Sequence, residues 1–196
     1  MYSSIFSCRN KIAIVTGGCG LIGREIVRGL SQYGAFVYIA DRDENSAQNL
    51  LGEHVRFIYF DIASEKSVLQ VTQKILNDSG KIDILINCAY PRTKDWSVKF
   101  EKISFESWKE NVNNHLGGYF LACQTIAEQM KLQQKGSIIN FASTYGIVAP
   151  DFSIYEGTEM TMPAAYSAIK GGIITFTKYL ATYYGKFNVR ANVVSP

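Results

Sequence analysis

The sequence predicts an α/β fold of the Rossmann type, with a doubly wound parallel sheet between two layers of helices. Short apolar runs alternate with longer amphipathic segments along all 196 residues, as strands and helices do in such a fold. The runs are apolar at nearly every position, which is typical of strands buried on both faces. A glycine-rich turn follows the first run. Because no repeat or low-complexity tract breaks the pattern, we expect one three-layered domain over residues 1–196.

The alternation assigns the strands and helices in order, with right-handed crossovers between parallel strands. Strands are predicted at 11–16, 36–40, 55–60, 82–87, 137–142 and 188–194. Helices are predicted at 21–32, 44–51, 64–77, 104–134 and 163–184. Two long loops, 90–103 and 143–163, lie between these elements.

The composition excludes several classes of function. Twenty Lys and Arg against 17 Asp and Glu give a net charge of +3, which is too small and too dispersed for nucleic-acid binding. No apolar run approaches the roughly 20 residues of a membrane span, and the N-terminus lacks the pattern of a secretory signal. We therefore expect a soluble, cytoplasmic protein without a nucleic-acid or membrane partner.

The cysteines and histidines do not predict a metal site. None of the cysteines forms a C-x-x-C pair, and His54 and His115 are the two imidazoles. We expect the cysteines to be reduced and mostly buried, as small apolar residues. They are Cys8, Cys19, Cys88 and Cys123.

The turn after the first strand, TGGCGLIG at 16–23, predicts a dinucleotide site. Glycines at 17, 20 and 23 allow a tight turn and a close approach of the backbone to a pyrophosphate. The helix that follows presents its free N–H groups and its dipole to the anion. The alternative is that Gly17, Gly20 and Gly23 serve only the turn and the packing of the helix.

An acidic residue ends the second strand, at the position that contacts an adenosine ribose. Asp41 lies 41 − 23 = 18 residues after Gly23, close to the expected offset. Its carboxylate would repel a 2′-phosphate, which favours NAD over NADP, whereas the neighbouring Arg42 could hold that phosphate. Asp61 ends the third strand, where it could contact the adenine edge. A helix cap is the alternative role for both Asp41 and Asp61.

A phenol and an ammonium four residues apart predict the catalytic pair. Tyr166 and Lys170, in YSAIK, share one face of the last predicted helix. The ammonium favours the phenolate, so that Tyr166 can give a proton to a ketone or take one from an alcohol. Tyr90 also has a lysine four residues later, Lys94, but that segment reads as a loop.

Together these motifs resemble the short-chain dehydrogenase/reductase family, over essentially the whole chain. The resemblance rests on TGGCGLIG (16–23), Asp41, Asp61, NCAY (87–90), INFAS (139–143), YSAIK (166–170) and NVRANVVSP (188–196). These segments occur in the order that the family has.

The resemblance implies a role for each matching position. The cofactor-binding residues that it implies are Gly17, Gly20, Leu21, Ile22, Gly23, Asp41, Asp61, Ile62, Asn87, Ala89, Tyr166 and Lys170. Ser143 would hold the substrate oxygen, and Tyr166 would be the acid/base. Lys170 would act on Tyr166 and bind the nicotinamide ribose. The nicotinamide would carry the hydride.

The chain departs from the family pattern in the glycine turn and at two other positions. The turn has Leu21 where the usual spacing needs glycine, and its T-G-x-x-G-x-x-G spacing is that of the branch that modifies nucleotide sugars. Tyr90 replaces the usual last glycine of the fourth-strand motif. His115 aligns with the family's helical asparagine, and Asn113 or Asn114 could serve instead if the register shifts.

The spacing of the serine is a further departure. Ser143 precedes Tyr166 by 166 − 143 = 23 residues, about ten more than usual, whereas Ser153 lies at the usual distance. We prefer Ser143 because it ends a strand. The inserted segment, 145–162, is expected to form one wall of the substrate pocket. Residues 150–173 look like the corresponding segment of short-chain dehydrogenases tied to flagellin and surface-polysaccharide modification.

The sequence therefore predicts an NAD(P)-dependent oxidoreductase that interconverts a hydroxyl and a carbonyl, on a sugar or surface-glycan precursor. The alternatives are a nucleotide-sugar epimerase or dehydratase, and a non-catalytic dinucleotide-binding protein. Family members usually continue past the Ser195-Pro196 at which this sequence stops, so we expect the domain to lack its usual C-terminal segment. The apolar helices at 104–134 and 163–184 predict a homodimer or homotetramer.

Overall fold

Six parallel strands form the sheet of this protein, in the order β3-β2-β1-β4-β5-β6. The computed structural model describes residues 5–196. The strands are β1 (Ile12–Thr16), β2 (Phe36–Asp41), β3 (Val55–Tyr59), β4 (Ile84–Asn87), β5 (Gly136–Phe141) and β6 (Val189–Val194). The strand order reverses between β1 and β4, and in such sheets ligands bind outside the carboxyl ends of the strands at that point. The predicted doubly wound sheet is confirmed.

The helices cover the two faces of the sheet unequally. They are α1 (Leu21–Gln32), α2 (Glu65–Ser79), α3 (Phe105–Val112), α4 (Gly118–Leu132) and α5 (Ala164–Tyr184). One face packs with α2, α4 and α5 in the larger apolar core, and the other packs with α1 in a smaller one. The second face is less covered near β6, where Val194 is exposed.

Two predicted helices differ from those observed. The stretch predicted at 104–134 is interrupted by a π-helical turn at Asn113–Gly117, between α3 and α4. Asparagine, histidine and glycine are weak helix formers, so this is where a continuous α-helix is least favoured. The helix predicted at 44–51 is a 3₁₀ helix, Asn45–Leu50. The Asp43 carboxylate accepts hydrogen bonds from the Ser46 N–H and hydroxyl beside it, a local pattern that competes with an α-helix.

A ladder of buried polar side chains crosses the sheet just below the carboxyl ends of its strands. The Thr16 hydroxyl donates to Asn87 Oδ1 over 3.1 Å, and Asn87 Nδ2 donates to Asn140 Oδ1 over 2.9 Å. Asn140 Nδ2 then donates to the Thr177 hydroxyl of α5 over 2.9 Å. Buried polar groups are costly unless they are paired, and these are paired from β1 to α5. The ladder therefore connects α5, through β5 and β4, with the end of β1, from which the glycine turn starts.

Within residues 5–196, no helix combines the length and the apolar character that crossing a membrane requires.

Candidate active site

The glycine turn after β1 is closed so tightly that side chains are excluded at Gly17 and Gly23. Gly17 has φ +66°, and a Cβ there would lie 2.7 Å from the backbone N of Ala89. A Cβ on Gly23 would collide with the carbonyl oxygen of Gly17. At the start of α1, Gly20 supplies no side-chain cap and the first turn holds no acidic residue. The first N–H groups of α1 are thus available to an anion, which fits the pyrophosphate of a dinucleotide.

The two apolar residues of the turn do not obstruct this site. The side chain of Leu21, which stands where the family has glycine, is 81% exposed. Ile22 beside it is also exposed. Both contribute backbone N–H groups to the first turn of α1.

A cavity of about 320 Å³ opens beside the turn, at the carboxyl ends of the central strands. It is lined by Gly17, Cys19, Gly20, Ala40, Asp41, Arg42, Asp43, Phe60, Asp61, Ile62, Cys88, Ala89, Tyr90 and Pro91. Three carboxylates and one guanidinium therefore surround it. This balance disfavours a further phosphate on the adenosine ribose.

Asp41 ties the end of β2 to the glycine turn. Its Oδ2 accepts a hydrogen bond from the Cys19 N–H over 3.0 Å, and its Oδ1 accepts from the N–H groups of Arg42 and Asp43. These bonds replace the helix-cap role that was the alternative for Asp41. The carboxylate is held at the wall of the cavity, where a ribose hydroxyl could donate to it.

Asp61 and Ile62 also line the cavity, in the turn between β3 and α2, next to the end of β2. Oδ1 of Asp61 accepts from the Ala63 N–H over 3.1 Å, and its own N–H donates to the Ser67 hydroxyl. The residue that caps α2 is Ser64, so Asp61 is not the helix cap that the sequence allowed.

Two predicted site residues at the end of β4 have different surroundings: Ala89 is at the cavity, and Asn87 is inside the protein. Ala89 lines the cavity, and its N–H donates to the Thr16 hydroxyl over 3.4 Å. Asn87 is fully buried in the polar ladder, and the Tyr119 hydroxyl donates to its carbonyl over 2.7 Å. Asn87 thus supports the floor beneath the cavity and is not among the residues that line it.

Tyr166 and Lys170 lie one turn apart near the start of α5. Lys170 Nζ lies 5.6 Å from the centroid of the Tyr166 ring and donates to the Phe141 carbonyl over 2.7 Å. Lys170 is only 5% exposed, and burial lowers the pKa of its ammonium to about 8. The nearby Cys88 opposes this shift. The ammonium therefore persists at neutral pH but loses its proton in mildly alkaline solution.

Ser143 lies directly before a turn that packs closely against α5. It follows β5, is buried, and its Oγ accepts from the Tyr145 N–H over 3.3 Å. The following 3₁₀ turn, Thr144–Gly146, packs on α5 so closely that a Cβ on Gly146 would lie 2.6 Å from the carbonyl carbon of Lys170. Ser153, the alternative, is exposed, and its hydroxyl donates to Asp151 over 2.7 Å.

His115 lies on the π-helical turn and points into the protein. It is completely buried, whereas Asn113 is exposed and Asn114 is half-buried, so of the three residues that the sequence allowed His115 is the one that is fully inside the protein. Neither ring nitrogen has a hydrogen-bond partner among residues 5–196. Burial, and secondarily the charge of Lys170, lower the pKa of His115 to about 3. The imidazole is therefore neutral at physiological pH and offers one donor and one acceptor.

Two aromatic residues complete the cluster and were not predicted as site residues. The ring of Tyr90 contacts Tyr166 edge to face at 5.9 Å between centroids, and His115 at 5.2 Å. The Trp96 ring lies 5.6 Å from Tyr90 and 6.4 Å from Tyr166. In the sequence Tyr90 was only a departure from the family motif, and Trp96 belongs to a loop without periodicity. No sequence pattern could place them beside residues 70 or more positions away.

Comparisons with known proteins show the family of this chain. A family model described as short chain dehydrogenase matches residues 11–196. A curated relative, the post-translational flagellin modification protein A of Campylobacter coli, is 34% identical over 95% of this chain and 76% of its own length. The acetoacetyl-CoA reductase of Acinetobacter sp. is 32% identical over 95% of this chain and 73% of its own.

Solved structures lead to the same family. A short-chain dehydrogenase from Leptospira borgpetersenii with bound NAD⁺ superposes with a TM-score of 0.88 at 33% identity, over all of this chain and 73% of the other. A xylitol dehydrogenase bound to NAD⁺ gives a TM-score of 0.83 at 26% identity, over 96% of this chain and 70% of the other.

The fold and these relatives define a dinucleotide-dependent oxidoreductase, in which a cavity lies at the strand ends and a Tyr–Lys pair lies near the start of α5. The chain belongs to the short-chain dehydrogenase family. It is thus an enzyme of the NAD(P)-dependent class.

Proposed function

We propose that this enzyme interconverts a hydroxyl and a carbonyl group, with Tyr166 as the acid/base and NAD(H) as the cofactor. The observation that carries the proposal is the Tyr166–Lys170 pair on α5, against which the turn that follows Ser143 packs and to which the cavity residue Tyr90 is joined by an aromatic contact. Ser143 follows β5, the pair lies near the start of α5, and Tyr90 lines the cavity. NAD(H), when bound, supplies or takes up the hydride.

Each side chain has a distinct task in this proposal. Tyr166 gives its proton to the carbonyl oxygen in reduction and takes one from the hydroxyl in oxidation. Lys170, charged below pH 8, stabilises the phenolate that Tyr166 becomes and binds the nicotinamide ribose. The Ser143 hydroxyl donates to the substrate oxygen and fixes its distance from Tyr166.

His115 is proposed to take the place of the family's helical asparagine in a proton relay. A neutral imidazole can accept at one nitrogen and donate at the other, and both nitrogens lack protein partners within residues 5–196. A buried water would satisfy such groups and could connect them with Lys170. The low pKa of His115 supports a relay through the neutral ring.

NAD(H) is the preferred cofactor in this proposal, because Asp41 holds a carboxylate at the ribose end of the cavity. Fluorescence titration with NADH and NADPH tests this directly. We expect NADH to bind about tenfold more tightly or better, the order of one unfavourable charge contact. Equal or tighter binding of NADPH would mean that Arg42 governs the site.

The proposed substrate is a sugar or a surface-glycan precursor. The xylitol dehydrogenase structure supports a polyhydroxylated substrate, and the flagellin modification relative supports a molecule used in the modification of flagellin. Because xylitol is an open chain, this support concerns the hydroxyl groups of the substrate and not its ring form. A panel of free sugars, sugar nucleotides and 3-oxoacyl thioesters, followed by NADH absorbance, tests the class. Turnover confined to 3-oxoacyl thioesters would contradict the sugar assignment and leave the oxidoreductase assignment intact.

The glycine spacing of the turn favours a second candidate, a nucleotide-sugar epimerase or dehydratase. Such an enzyme returns its cofactor to the starting state in each cycle. The same panel therefore separates the two: an epimerase converts the sugar nucleotide without a net change in NADH. A chain that binds NAD(H) but converts nothing would support a non-catalytic role.

We also infer a homodimer or homotetramer built on α4 and α5, in the cytoplasm. Tyr179 and Tyr183 of α5 stack at 5.6 Å and are 58% and 51% exposed, and Phe120 of α4 is exposed beside Phe176. Aromatic side chains of this kind are enriched at interfaces. The cysteines at 8, 19, 88 and 123 form no disulfide, which supports a reducing compartment.

A further inference from the structure

Tyr90 occupies the junction between the cofactor cavity and the catalytic cluster. It lines the cavity together with Gly17, Asp41 and Ala89, and its ring contacts Tyr166. A substrate carbon that exchanges a hydride with a nicotinamide and a proton with Tyr166 has to lie at this junction. The residue is therefore in position to touch the part of the substrate next to the reacting carbon.

The ring of Tyr90 is a rigid wall and not a mobile side chain. Trp96, His115 and Tyr166 contact it edge to face, at centroid distances of 5.2 to 5.9 Å. Two cations also lie over the ring: the Arg92 guanidinium at 5.6 Å and the Lys170 ammonium at 5.8 Å from its centroid. Edge-to-face contacts on several sides leave the ring little freedom to turn.

The loop that carries this wall is fastened to α3 by buried polar groups. Asn111 accepts from the Thr93 N–H over 3.0 Å and donates to the Thr93 hydroxyl over 2.8 Å. The Ser107 hydroxyl donates to the Asp95 carboxylate over 2.9 Å. Residues 93 and 95 lie between Tyr90 and Trp96 in the chain, so these bonds to α3 hold the loop that carries both rings.

Part of the Tyr90 ring remains open. Its side chain is 39% exposed, whereas Trp96 and His115 are buried behind it. Burial raises the pKa of its hydroxyl to about 12, with a smaller contribution from Tyr166, so the residue is a neutral phenol at physiological pH. The part of the ring that remains open to a ligand is thus aromatic and preorganised, with a neutral hydroxyl at its edge, and two cations, Arg92 and Lys170, lie within 6 Å of the ring centroid.

A flat, fixed surface of this kind distinguishes rings from chains. A cyclic molecule can lay one face of C–H groups on the aromatic ring without losing internal rotations. An open chain with the same carbons has to freeze several rotations to make the same contact, which weakens its binding. Glycine, the usual family residue at this position, offers no such surface.

We propose that Tyr90 is a specificity-determining residue that makes this enzyme selective for cyclic alcohols and ketones, sugar rings included, over open-chain ones. This inference rests on the proposed hydroxyl–carbonyl chemistry and names its substrate class. It assigns to Tyr90 the packing of the substrate ring and leaves proton transfer to Tyr166.

A pair of ketones with the same number of carbons tests the proposal: cyclohexanone and 2-hexanone, reduced with NADH. The variants are Tyr90→Gly, which removes the wall, and Tyr90→Phe, which keeps the ring and removes only the hydroxyl. We expect the native protein to favour the ring ketone about tenfold in kcat/KM, a typical discrimination for a hydrophobic pocket. Tyr90→Phe should keep that ratio, and Tyr90→Gly should lose most of it.

Two further measurements make every outcome decisive. Binding of cyclohexanol and 2-hexanol to the NAD⁺ complex is measured by saturation-transfer NMR, and thermal unfolding shows whether each variant is folded. A native protein without a ring preference in turnover or binding overturns the inference, as does a preference that Tyr90→Gly retains. If Tyr90→Gly is unfolded, Tyr90→Leu takes its place under the same criteria. A protein that fails to bind NADH contradicts the proposed function itself, and the inference with it.

Discussion

The burial of Lys170, the proposed partner of Tyr166, lowers the stability of the folded protein at neutral pH, because its ammonium loses hydration. Its ammonium is buried among the rings of Tyr90, Tyr119 and Tyr166, with centroids at 5.6 to 5.9 Å, and donates to the Phe141 carbonyl. The aromatic faces and the carbonyl compensate only part of the lost hydration, and the lowered pKa reflects the remainder. A base with a lowered pKa in the folded state binds fewer protons there than in the unfolded chain.

This difference predicts a specific dependence of stability on pH. Between pH 8 and 10.5 the unfolded chain keeps the Lys170 proton and the folded protein releases it, so the free energy of unfolding rises with pH in that window. Relative to Lys170→Met, the native protein should gain on the order of 2 kcal/mol between pH 7 and pH 10. Urea unfolding of both proteins at the two pH values measures the gain. An unchanged difference would mean that the Lys170 pKa is ordinary.

At this scale the sequence predicted the residues that belong to a periodic pattern. Tyr166 and Lys170 share a helix face because they are four apart, and Asp41 ends a strand at a fixed offset from the glycine turn. Tyr90 and Trp96 could not be predicted, because their place depends on how the loop after β4 folds back on α3. The burial of His115 was also unpredictable, since it follows from a π-helical turn that no propensity scale specifies.

Among the elements, the turn Thr144–Gly146 joins the two halves of the catalytic cluster. It follows Ser143 and packs directly on the backbone of α5 at Lys170. The sequence located β5 and α5 correctly, within one or two residues at each end. This contact could not be predicted, because two backbones that pack closely leave only one mark in the sequence, the glycine at the contact.

Gly146→Ala is therefore expected to disturb the site through the backbone. The added Cβ would lie 2.6 Å from the Lys170 carbonyl carbon and 2.7 Å from the Gly171 N, so the turn has to move away from α5. We expect a loss of about 1–3 kcal/mol in stability, as for other overpacked positions, and a fall in turnover from the displacement of Ser143.

Gly185→Ala is the matched control, because a Cβ there meets nothing within 4 Å. Thermal unfolding and steady-state turnover of the two variants are compared with the native protein. If Gly146→Ala behaves like Gly185→Ala in both measurements, the contact does not position Ser143.

For the whole molecule, the parallel sheet brings the glycine turn, Asp41 and Ser143 to the carboxyl ends of its strands. Reversal between β1 and β4 opens the cavity, and the polar ladder from Thr16 to Thr177 joins its floor to α5. The alternation of apolar runs was sufficient to predict this parallel sheet. It could not predict how unequally the helices cover the two faces, because a strand covered on one face and a strand covered on both carry similar residues. In β5, for example, every second residue is only half-buried.

The proposed assembly makes a prediction at this scale. Light scattering should give at least twice the 21.9 kDa mass of one chain at micromolar concentration. Tyr179→Arg places a charge in the exposed aromatic patch of α5 and should shift the protein toward monomer. Tyr59→Arg, at another exposed tyrosine on β3, serves as the control. A monomeric native protein, or equal masses for both variants, would contradict an interface on α4 and α5.

The comparison of Tyr166→Phe with the native protein tests the central claim most directly. The substitution keeps the ring against Tyr90 and Trp96 and removes only the hydroxyl. NADH affinity is measured by fluorescence titration, and turnover of the best substrate of the panel by NADH absorbance, on the same preparations. We predict an NADH affinity within about twofold of native and a turnover lower by about 10²–10⁴-fold, the usual contribution of a proton-transfer group. Turnover equal to that of the native protein would contradict the assignment of Tyr166 as the acid/base.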